Sequence, residues 1–263
     1  MILNKLNFIK RFFRYIVHNS NYINDIHILK TKFRRFSKIK NIDKSWIDKP
    51  KGASGIDFFN WFDSAENIKQ VLKLAERDFN YAINPYLPID KTKTILEIGF
   101  GGGRLALQAC KKAKFYLGID IHDNFEETKN FLNSNGVSNF KMFNLSELKK
   151  IPKFDLVYSF IVIQHFSNIK ILELYLDFIS KKLNSNGKVI LWYGKLKTKL
   201  FGEYYEVPPS QFRERECSLF ITKEKMELML QKMNFRIIKH SIDNKTPDLK
   251  RKSMQSFVIF ERI

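Results

Sequence analysis

The spacing of hydrophobic positions changes along the chain. Up to about residue 88, apolar side chains recur every three or four positions, which is the period of an amphipathic helix. Beyond that point, short runs of β-branched and aromatic residues alternate with helical segments. An alternation of this length predicts right-handed crossover connections and a parallel sheet with helices on both faces.

The elements of this alternating part can be bounded from the pattern. Predicted strands cover 94–98, 115–119, 140–143, 155–161 and 188–193, and predicted helices cover 104–112, 125–133 and 169–183. Asp123, with Glu126 three residues later, predicts a capping box for the second of these helices. Two final strands, 236–241 and 256–261, are joined by a polar loop without room for a crossover helix, so we expect them to pair antiparallel.

Residues 1–17 are predicted to form a basic amphipathic helix. Apolar residues recur at helical spacing with basic residues between them: Ile2, Leu6, Ile9, Phe13 and Ile16, with Lys10, Arg11 and Arg14. Such a helix can lie on an anionic membrane surface, or it can pack on the rest of the protein or on a partner. A mitochondrial presequence is a third interpretation, which the scarcity of Ser weakens. A linker with Pro50, Gly52 and Gly55 follows, before a helix that begins near Ser64.

Composition classifies the chain as globular. Of its 263 residues, 44% are hydrophobic and 14% aromatic, enough apolar surface to offset the entropy lost on folding. The longest apolar stretches fall far short of the roughly 20 residues that span a bilayer. Cys110 and Cys217, the only cysteines, support neither a disulfide framework nor a zinc cluster, and no other group of residues indicates a metal. These features predict a cytoplasmic protein.

The net charge is +19, from 46 basic and 27 acidic residues. An excess of this size usually indicates nucleic acid or an anionic membrane as a partner. The abundance of Lys, Asn, Ile and Phe is also typical of AT-rich coding, which raises the lysine content without selection for binding. Residues 1–51 hold 13 basic and 3 acidic residues, so only this N-terminal excess is retained as a signal.

The candidate chemistry lies where the first predicted strand meets its helix. Glu97 is followed there by glycines at positions 99, 101, 102 and 103. Glycines let a ligand approach the backbone, and the helix that follows offers unpaired N–H groups at its N-terminus. Asp120, at the end of the next strand, is placed to accept hydrogen bonds from both hydroxyls of a ribose. The arrangement predicts a site for a nucleotide-like ligand.

Two kinds of cofactor could use this geometry. The dinucleotide fingerprint requires a glycine at the sixth position counted from Gly99, where this chain has Arg104. Glu97 with alternate glycines instead resembles the first motif of class I S-adenosylmethionine-dependent methyltransferases. The resemblance covers about residues 90–262 and includes the two terminal strands. It implies an α/β, Rossmann-like fold with a mostly parallel seven-stranded sheet and an antiparallel C-terminal strand, here with an N-terminal helical extension.

The resemblance also implies roles for individual residues. In that family the glycine loop holds the methionyl part of S-adenosylmethionine, and the acid at the second strand end holds its ribose. Ile121 would pack on the adenine, which Asn144 and Leu145 would hydrogen-bond, and Ser159 begins the segment SFIVIQH where cofactor and acceptor meet. The implied cofactor-binding residues are Glu97, Gly99, Gly101, Gly103, Asp120, Ile121, Asn144, Leu145 and Ser159.

His165 is the candidate catalytic base. Methyl transfer is an in-line displacement at a carbon activated by sulfonium, so the enzyme has to align the acceptor and, for a hydroxyl, remove a proton. His165 follows the fourth strand, at the edge of the sheet where open α/β folds bind ligands. Alternatively, its side chain only hydrogen-bonds the loop in which it lies.

The same resemblance divides the chain near residue 55. Residues 1–55 are expected to form the basic helical extension and linker, and residues 56–263 the methyltransferase domain. Within the domain, residues 90–165 would form the cofactor half. A long insertion at 194–221, between the fifth strand and the last helix, would lie on the acceptor side.

The motifs that the chain lacks exclude some classes of methyl acceptor. It has neither the Pro-Pro-aromatic clamp of amino-adenine methyltransferases after the fourth strand nor a Pro-Cys nucleophile, so we expect no DNA partner. In the insertion, Arg213 and Arg215 could bind phosphate or carboxylate groups, unless they pair with Glu214 and Glu216. The architecture resembles small-molecule and sugar methyltransferases of surface-glycan assembly. This implies O-methylation of a sugar, a glycan precursor or another small molecule.

Two other functions remain open. An RNA methyltransferase would explain the basic N-terminus. A non-catalytic, membrane-associated protein that retains the fold would explain the same charge without a reaction. The expected location is the cytoplasm, with peripheral attachment at the inner membrane face through the N-terminal basic helix.

Overall fold

A computed structural model describes residues 23–32, 39–197, 199–241 and 255–262. The predicted basic helix over residues 1–17 lies outside this set, as does most of the polar loop between the last two strands. In the described part, four helices precede a series in which strands and helices alternate.

The described part contains eight α-helices and nine strands. The helices are α1 (Ile23–Lys32), α2 (Ile42–Asp48), α3 (Gly55–Asp63), α4 (Ile68–Ala82), α5 (Arg104–Lys112), α6 (Phe125–Ser134), α7 (Ile169–Lys182) and α8 (Lys223–Lys232). The strands are β1 (Thr94–Ile98), β2 (Phe115–Asp120), β3 (Phe140–Asn144), β4 (Phe154–Ser159), β5 (Leu183–Leu196), β6 (Tyr204–Glu206), β7 (Leu219–Thr222), β8 (Phe235–His240) and β9 (Gln255–Arg262). None of these helices combines the length and the apolar character needed to cross a membrane.

All nine strands join one sheet. β3, β2, β1, β4 and β5 are parallel neighbours in that order. β9 pairs antiparallel with β5, and β8 pairs antiparallel with β9. This confirms the predicted Rossmann-like fold, a mostly parallel sheet with an antiparallel C-terminal strand. The sheet has two strands more than the seven expected, β6 and β7. The insertion adds them as a short hairpin, in which β7 pairs with the end of β5.

The sheet is buried on both faces by two layers of apolar side chains. Ile95 of β1 packs in the layer that contains Val71 and Phe79 of α4. Its neighbour Leu96 packs in the other layer, with Leu176 of α7. Successive side chains of a strand point to opposite faces, so a strand covered on both sides reads as a continuous apolar run. This two-sided core fixes the strand ends from which the site is built.

The start of α6 differs from the sequence expectation. Its N-cap residue is Asn124, and no side chain makes a capping hydrogen bond there. The predicted capping box of Asp123 and Glu126 is therefore wrong. The Phe125 N–H instead donates to the backbone carbonyl of Asp123 at 2.9 Å, so the chain enters the helix through a backbone turn.

The helix expected near Ser64 is preceded by another helix. Ser64 ends α3 in a left-handed conformation, with φ of 55°, and its N–H donates to the Asn60 carbonyl. The next helix, α4, begins four residues later at Ile68, and the side chain of its N-cap Asn67 accepts from the Gln70 N–H. The end of α3 lies beside the glycine-rich loop that follows β1, where Phe62 approaches Gly101 and Phe59 approaches Gly102.

Candidate active site

A cavity of about 420 Å³ lies at the carboxyl ends of the parallel strands. Open α/β folds bind ligands at this edge, and ligand pockets span roughly 300–1,000 Å³. Loops after β1, β2, β3 and β4 contribute to the wall. The remaining wall comes from α2, α3, α4, α5, α7 and the segment before β7.

The structure brings seven of the ten residues predicted for the site to this cavity. They are Glu97, Gly99, Gly101, Asp120, Ile121, Leu145 and His165. Gly103, Asn144 and Ser159 are not among the lining residues. The strand ends therefore converge as the sequence suggested, but not every side chain near them reaches the cavity.

Asp120 and the glycine-rich loop are joined by hydrogen bonds. The Gly101 N–H donates to Asp120 Oδ2 at 2.8 Å, and the Ile121 N–H donates to Oδ1 at 2.7 Å. The Gly101 carbonyl accepts from Thr128 Oγ1 at 3.2 Å and lies 3.2 Å from His122 Nε2. Because a carbonyl can only accept, His122 carries its hydrogen on Nε2 when this bond forms. These contacts fix the loop against the end of β2.

The glycines of the loop have two effects. They leave space for neighbouring protein side chains, and they place no side chain of their own in the cavity. At Gly99, with φ of +76°, an added Cβ would lie 2.4 Å from Val162 Cγ1. At Gly103, with φ of +84°, it would lie 2.4 Å from Thr128 Cγ2. The requirement for glycine at these positions is therefore both conformational and steric.

Glu97 is a buried carboxyl group that lines the cavity. Its Oε2 accepts from the hydroxyls of Tyr116 and Tyr158, both at 2.7 Å. Burial raises the pKa of Glu97 to about 8, and the two tyrosine hydrogen bonds oppose the rise. Glu97 is mostly protonated at neutral pH in the ligand-free protein, and a cation bound beside it would favour the ionised form.

Asn144, Ser159 and Gly103 support the site from behind the cavity wall. The Asn144 amide donates to the carbonyls of Ile121 and His122, at 3.2 and 3.4 Å. Ser159 is fully buried, and its hydroxyl donates to the Ile98 carbonyl at 3.1 Å. Gly103 forms the N-cap of α5. Their contacts hold the strand ends together.

A buried ion-pair network lies beside the glycine loop and was not predicted from the sequence. Arg104, the first residue of α5, donates from Nε to Asp63 Oδ1 at 2.5 Å and from Nη1 to Asp78 Oδ2 at 2.7 Å. All three residues line the cavity. Asp63 Oδ2 is buried and has no hydrogen-bond partner among the described residues. No local pattern indicates this network, because its members come from three separate helices.

His165 lies against Trp46, with ring centroids 4.8 Å apart. Its Nδ1 is 2.9 Å from the Glu216 carbonyl, so Nδ1 carries the hydrogen, and the Gln164 amide approaches Nε2 at 3.3 Å. Burial, with a smaller contribution from the charge of Arg215, lowers the pKa of His165 to about 4, and the hydrogen bond to the Glu216 carbonyl opposes this fall. At neutral pH the imidazole is therefore uncharged, with a lone pair on Nε2.

Comparison with a family model agrees with this geometry. The model described as a methyltransferase domain matches residues 59–240. A sequence search of curated proteins found no match.

Solved structures show the same fold at low sequence identity. An S-adenosylmethionine-dependent methyltransferase from Mesorhizobium loti has 16% identity and a TM-score of 0.55, over 69% of this chain and 96% of that chain. Magnesium protoporphyrin IX methyltransferase from Synechocystis PCC 6803, solved with bound S-adenosylhomocysteine, has 13% identity and a TM-score of 0.58, over 85% and 100%. A methyltransferase from Methanosarcina mazei has 17% identity and a TM-score of 0.52, over 69% and 96%.

The cavity also suits S-adenosylmethionine, whose sulfonium and ammonium groups carry positive charge. Asp63 and Asp78 line it together with their partner Arg104, and Asp120 lines it without an arginine or lysine partner among the described residues. The glycine loop leaves the backbone bare where the ligand would approach. The family match spans well over half of the sequence. The chain therefore belongs to the class I S-adenosylmethionine-dependent methyltransferases.

Proposed function

We propose that the protein transfers the methyl group of S-adenosylmethionine to a hydroxyl of a small molecule, such as a sugar or a glycan precursor. The observation that carries this proposal is that His165 lines the same cavity as Gly99, Gly101 and Asp120. An acceptor hydroxyl bound at His165 would share one enclosed space with the cofactor. The absence of a DNA-type clamp after β4 supports a small acceptor.

Cofactor binding is assigned to the residues that line the cavity near the strand ends. Asp120 would hold the ribose, and Ile121 and Leu145 would contact the adenine. Gly99 and Gly101 would lie along the methionyl part, with Glu97 and Asp63 facing its ammonium. When bound, S-adenosylmethionine supplies a methyl group activated by the sulfonium. Asn144, Ser159 and Gly103 are assigned to positioning these groups through the contacts described above.

His165 is assigned to the acceptor hydroxyl. Its Nδ1 hydrogen is held by the Glu216 carbonyl, which leaves Nε2 to accept a hydrogen bond from the acceptor once the Gln164 amide moves aside. A pKa of about 4 makes His165 a weak base. Its main contribution is to orient the hydroxyl, and it takes up the proton only as the oxygen is methylated.

The proposed domain division keeps residues 56–263 as the methyltransferase domain and residues 1–55 as an extension. The extension still contributes to the site, because Asp43 and Trp46 of α2 line the cavity. The basic excess in residues 1–51 supports contact between the extension and an anionic membrane surface at the cytoplasmic face. Co-sedimentation with phosphatidylserine vesicles, compared with phosphatidylcholine vesicles, tests this location.

Methyl transfer is tested with methyl-labelled S-adenosylmethionine. The purified protein is incubated separately with small-molecule, glycan and RNA fractions of a bacterial lysate. We expect label in the small-molecule or glycan fraction. Label in RNA, with an affinity that falls steeply as salt rises, would replace this proposal by RNA methylation. No label in any fraction and no cofactor binding would favour a protein that retains the fold without the activity.

A further inference from the structure

Arg215 places a cation on the cavity wall near His165. It lies in the loop between the 3-10 helix Pro209–Gln211 and β7, and its side chain lines the cavity. Its Nη2 donates to Ser64 Oγ at 2.6 Å, and its guanidinium carbon lies 5.4 Å from the centre of the Trp61 ring. Two contacts from α3 therefore hold the guanidinium beside the cavity.

Arg215 differs from the other cations of the cavity in forming no ion pair among the described residues, although its charge acts to lower the pKa of Asp63. Arg104 binds Asp63 and Asp78, and Arg77 pairs with Asp78 at 2.7 Å. Among the described residues, no carboxylate oxygen lies within 4.0 Å of the Arg215 guanidinium. A guanidinium has five N–H donors in a planar fork, so most of them are available to a ligand.

Neither acidic neighbour of Arg215, Glu214 or Glu216, forms an ion pair with it. Glu214 lies 3.6 Å from Lys49 Nζ. Glu216 presents its backbone carbonyl to His165 Nδ1 at 2.9 Å. The sequence left open that the two glutamates of the loop pair with its arginines. At Arg215 this pairing does not occur.

The backbone at Arg215 is unusual for an arginine. Its φ is +66°, a left-handed conformation that favours glycine or asparagine. It lies in a turn closed by the Glu216 N–H, which donates to the Arg213 carbonyl at 3.1 Å. An arginine held in this conformation, with its side chain on a cavity, is the kind of outlier from which a functional role is inferred.

Further unpartnered polar atoms belong to residues of the same region. Trp46 Nε1 and Gln164 Oε1 are buried without a hydrogen-bond partner among the described residues, and both residues line the cavity. The Trp46 ring lines the cavity, and its centre lies 5.8 Å from that of the Trp61 ring, with the two planes inclined at 54°. A ligand here would meet the ring of Trp46 and the guanidinium of Arg215.

We propose that Arg215 binds a carboxylate or phosphate group of the acceptor and thereby selects anionic acceptors. The inference rests on the proposed function, because it assigns this part of the cavity to the methyl acceptor. The acceptor would then be a hydroxylated small molecule with one acidic group, such as an acidic or phosphorylated sugar. Arg215 is a specificity-determining residue and takes no part in proton transfer.

The test measures binding of matched anionic and neutral probes to the full chain. Intrinsic tryptophan fluorescence reports binding, because Trp46 and Trp61 lie next to Arg215. One series compares glucose, glucuronate and glucose 6-phosphate, and a second compares benzyl alcohol, benzoate and phenyl phosphate. Each titration is made with and without saturating S-adenosylhomocysteine. The carboxylate and phosphate arms show which acidic group is preferred.

We expect the wild-type protein to bind anionic probes more tightly than neutral ones in at least one series. Arg215→Gln should lower the affinity for the anionic probes by about tenfold or more and leave the affinity for the neutral probes unchanged. Arg215→Lys should restore part of the difference. Arg213→Gln removes the same charge from an exposed residue of the same loop that does not line the cavity, and should have no effect.

Two results would overturn the inference. One is equal binding of anionic and neutral probes in both series. The other is an equal loss in Arg213→Gln and Arg215→Gln, which would indicate attraction by net charge alone. Calorimetry with S-adenosylhomocysteine on the same samples separates this inference from the proposed function. Failure to bind that nucleoside would contradict the function, whereas normal binding without an anion preference would contradict only the role of Arg215.

Discussion

Two groups of residues meet at the cavity and are built in different ways. The strand-end group, Glu97, Gly99, Gly101 and Asp120, comes from neighbouring strands and is tied together by short hydrogen bonds. The aromatic group, Trp46, Trp61, His165 and Arg215, comes from α2, α3, the loop after β4 and the insertion, and is held mainly by ring contacts. The first depends on the fold itself, and the second depends on segments that can change without altering the sheet.

The two groups also differ in charge. Beside the strand-end group, Asp63 and Asp78 pair with Arg104 and Arg77, whereas Asp120 has no arginine or lysine partner among the described residues. The aromatic group contains an uncharged imidazole and the guanidinium of Arg215, which has no acidic partner among the described residues. A cationic cofactor and an anionic acceptor would each be attracted to the group of opposite charge. The difference indicates that one site can align two ligands through electrostatics before any catalytic contact is made.

The largest effect in the strand-end group is expected when a side chain is added to its tightly packed glycine loop. Gly99→Ala adds a Cβ that meets Val162 at 2.4 Å, whereas Gly136→Ala, at nearly the same φ, meets nothing within 4 Å. Both changes carry the left-handed penalty of roughly 1–2 kcal/mol, and overpacking adds roughly 1–3 kcal/mol at Gly99 alone. Urea unfolding should show the larger loss for Gly99→Ala. Equal losses would mean that the loop is not packed as described.

A smaller effect is expected when the carboxylate of the strand-end group is removed. Asp120→Ala should lower the affinity for S-adenosylhomocysteine, measured by calorimetry, by about a hundredfold, because two charge-assisted hydrogen bonds are lost. Asp123→Ala is the matched control, since that residue is exposed, nearby and absent from the cavity wall. Unchanged affinity in Asp120→Ala would show that the ribose is not bound at this carboxylate.

The strand-end group was largely predictable because its signals are local. A strand that ends in alternate glycines, followed by a second strand that ends in Asp120, defines two loops at the same edge of a parallel sheet. The outcome for Asn144 shows the limit of this reasoning. Its position after β3 follows from the pattern, but its hydrogen bonds to the carbonyls of Ile121 and His122 depend on how two strand ends meet.

The aromatic group could not be predicted in the same way. Trp46 reaches His165 only because α2 packs across the loop after β4. Asp63 and Asp78 meet Arg104 only because α3 and α4 both pack beside the start of α5. The failed capping box has a different, local origin, since a backbone turn at Asp123 sets the start of α6. Contacts between distant segments leave no spacing signal in a single sequence.

The pH dependence of stability tests the burial of Glu97. Its pKa is about 8, against an ordinary value of 4.5, so between these values the folded chain holds a proton that the unfolded chain has lost. Stability should therefore fall as pH rises from 5 to 8, by at most about 1.4 kcal/mol per pH unit. Glu97→Gln keeps an acceptor for the tyrosines and should flatten this fall in urea unfolding. The exposed control Glu126→Gln should keep the wild-type slope, and a slope unaltered by Glu97→Gln would contradict the burial.

The smallest effect is expected from His165, and its sign is opposite. Its pKa is about 4, against an ordinary value of 6.5, so between these values the unfolded chain holds a proton that the folded chain lacks. Its contribution to stability is complete above about pH 6.5 and is lost as pH falls towards 4, which is a narrower window than that of Glu97. In His165→Asn the amide can still donate to the Glu216 carbonyl but cannot titrate, so unfolding in urea should lose this acid dependence. A dependence that persists in the variant would show that His165 is not buried in its neutral form.

The double variant Glu97→Gln, His165→Asn sharpens the comparison further. If the strand-end group and the aromatic group are independently built, the two changes should add to within about 0.5 kcal/mol at every pH. A larger coupling would mean that the two groups share a supporting contact, so that a change in acceptor preference would also alter the cofactor site. Additivity would instead explain how the insertion can vary around an unchanged sheet. The stability curves of four proteins, the wild type, both single variants and the double variant, distinguish these outcomes without requiring the acceptor to be known.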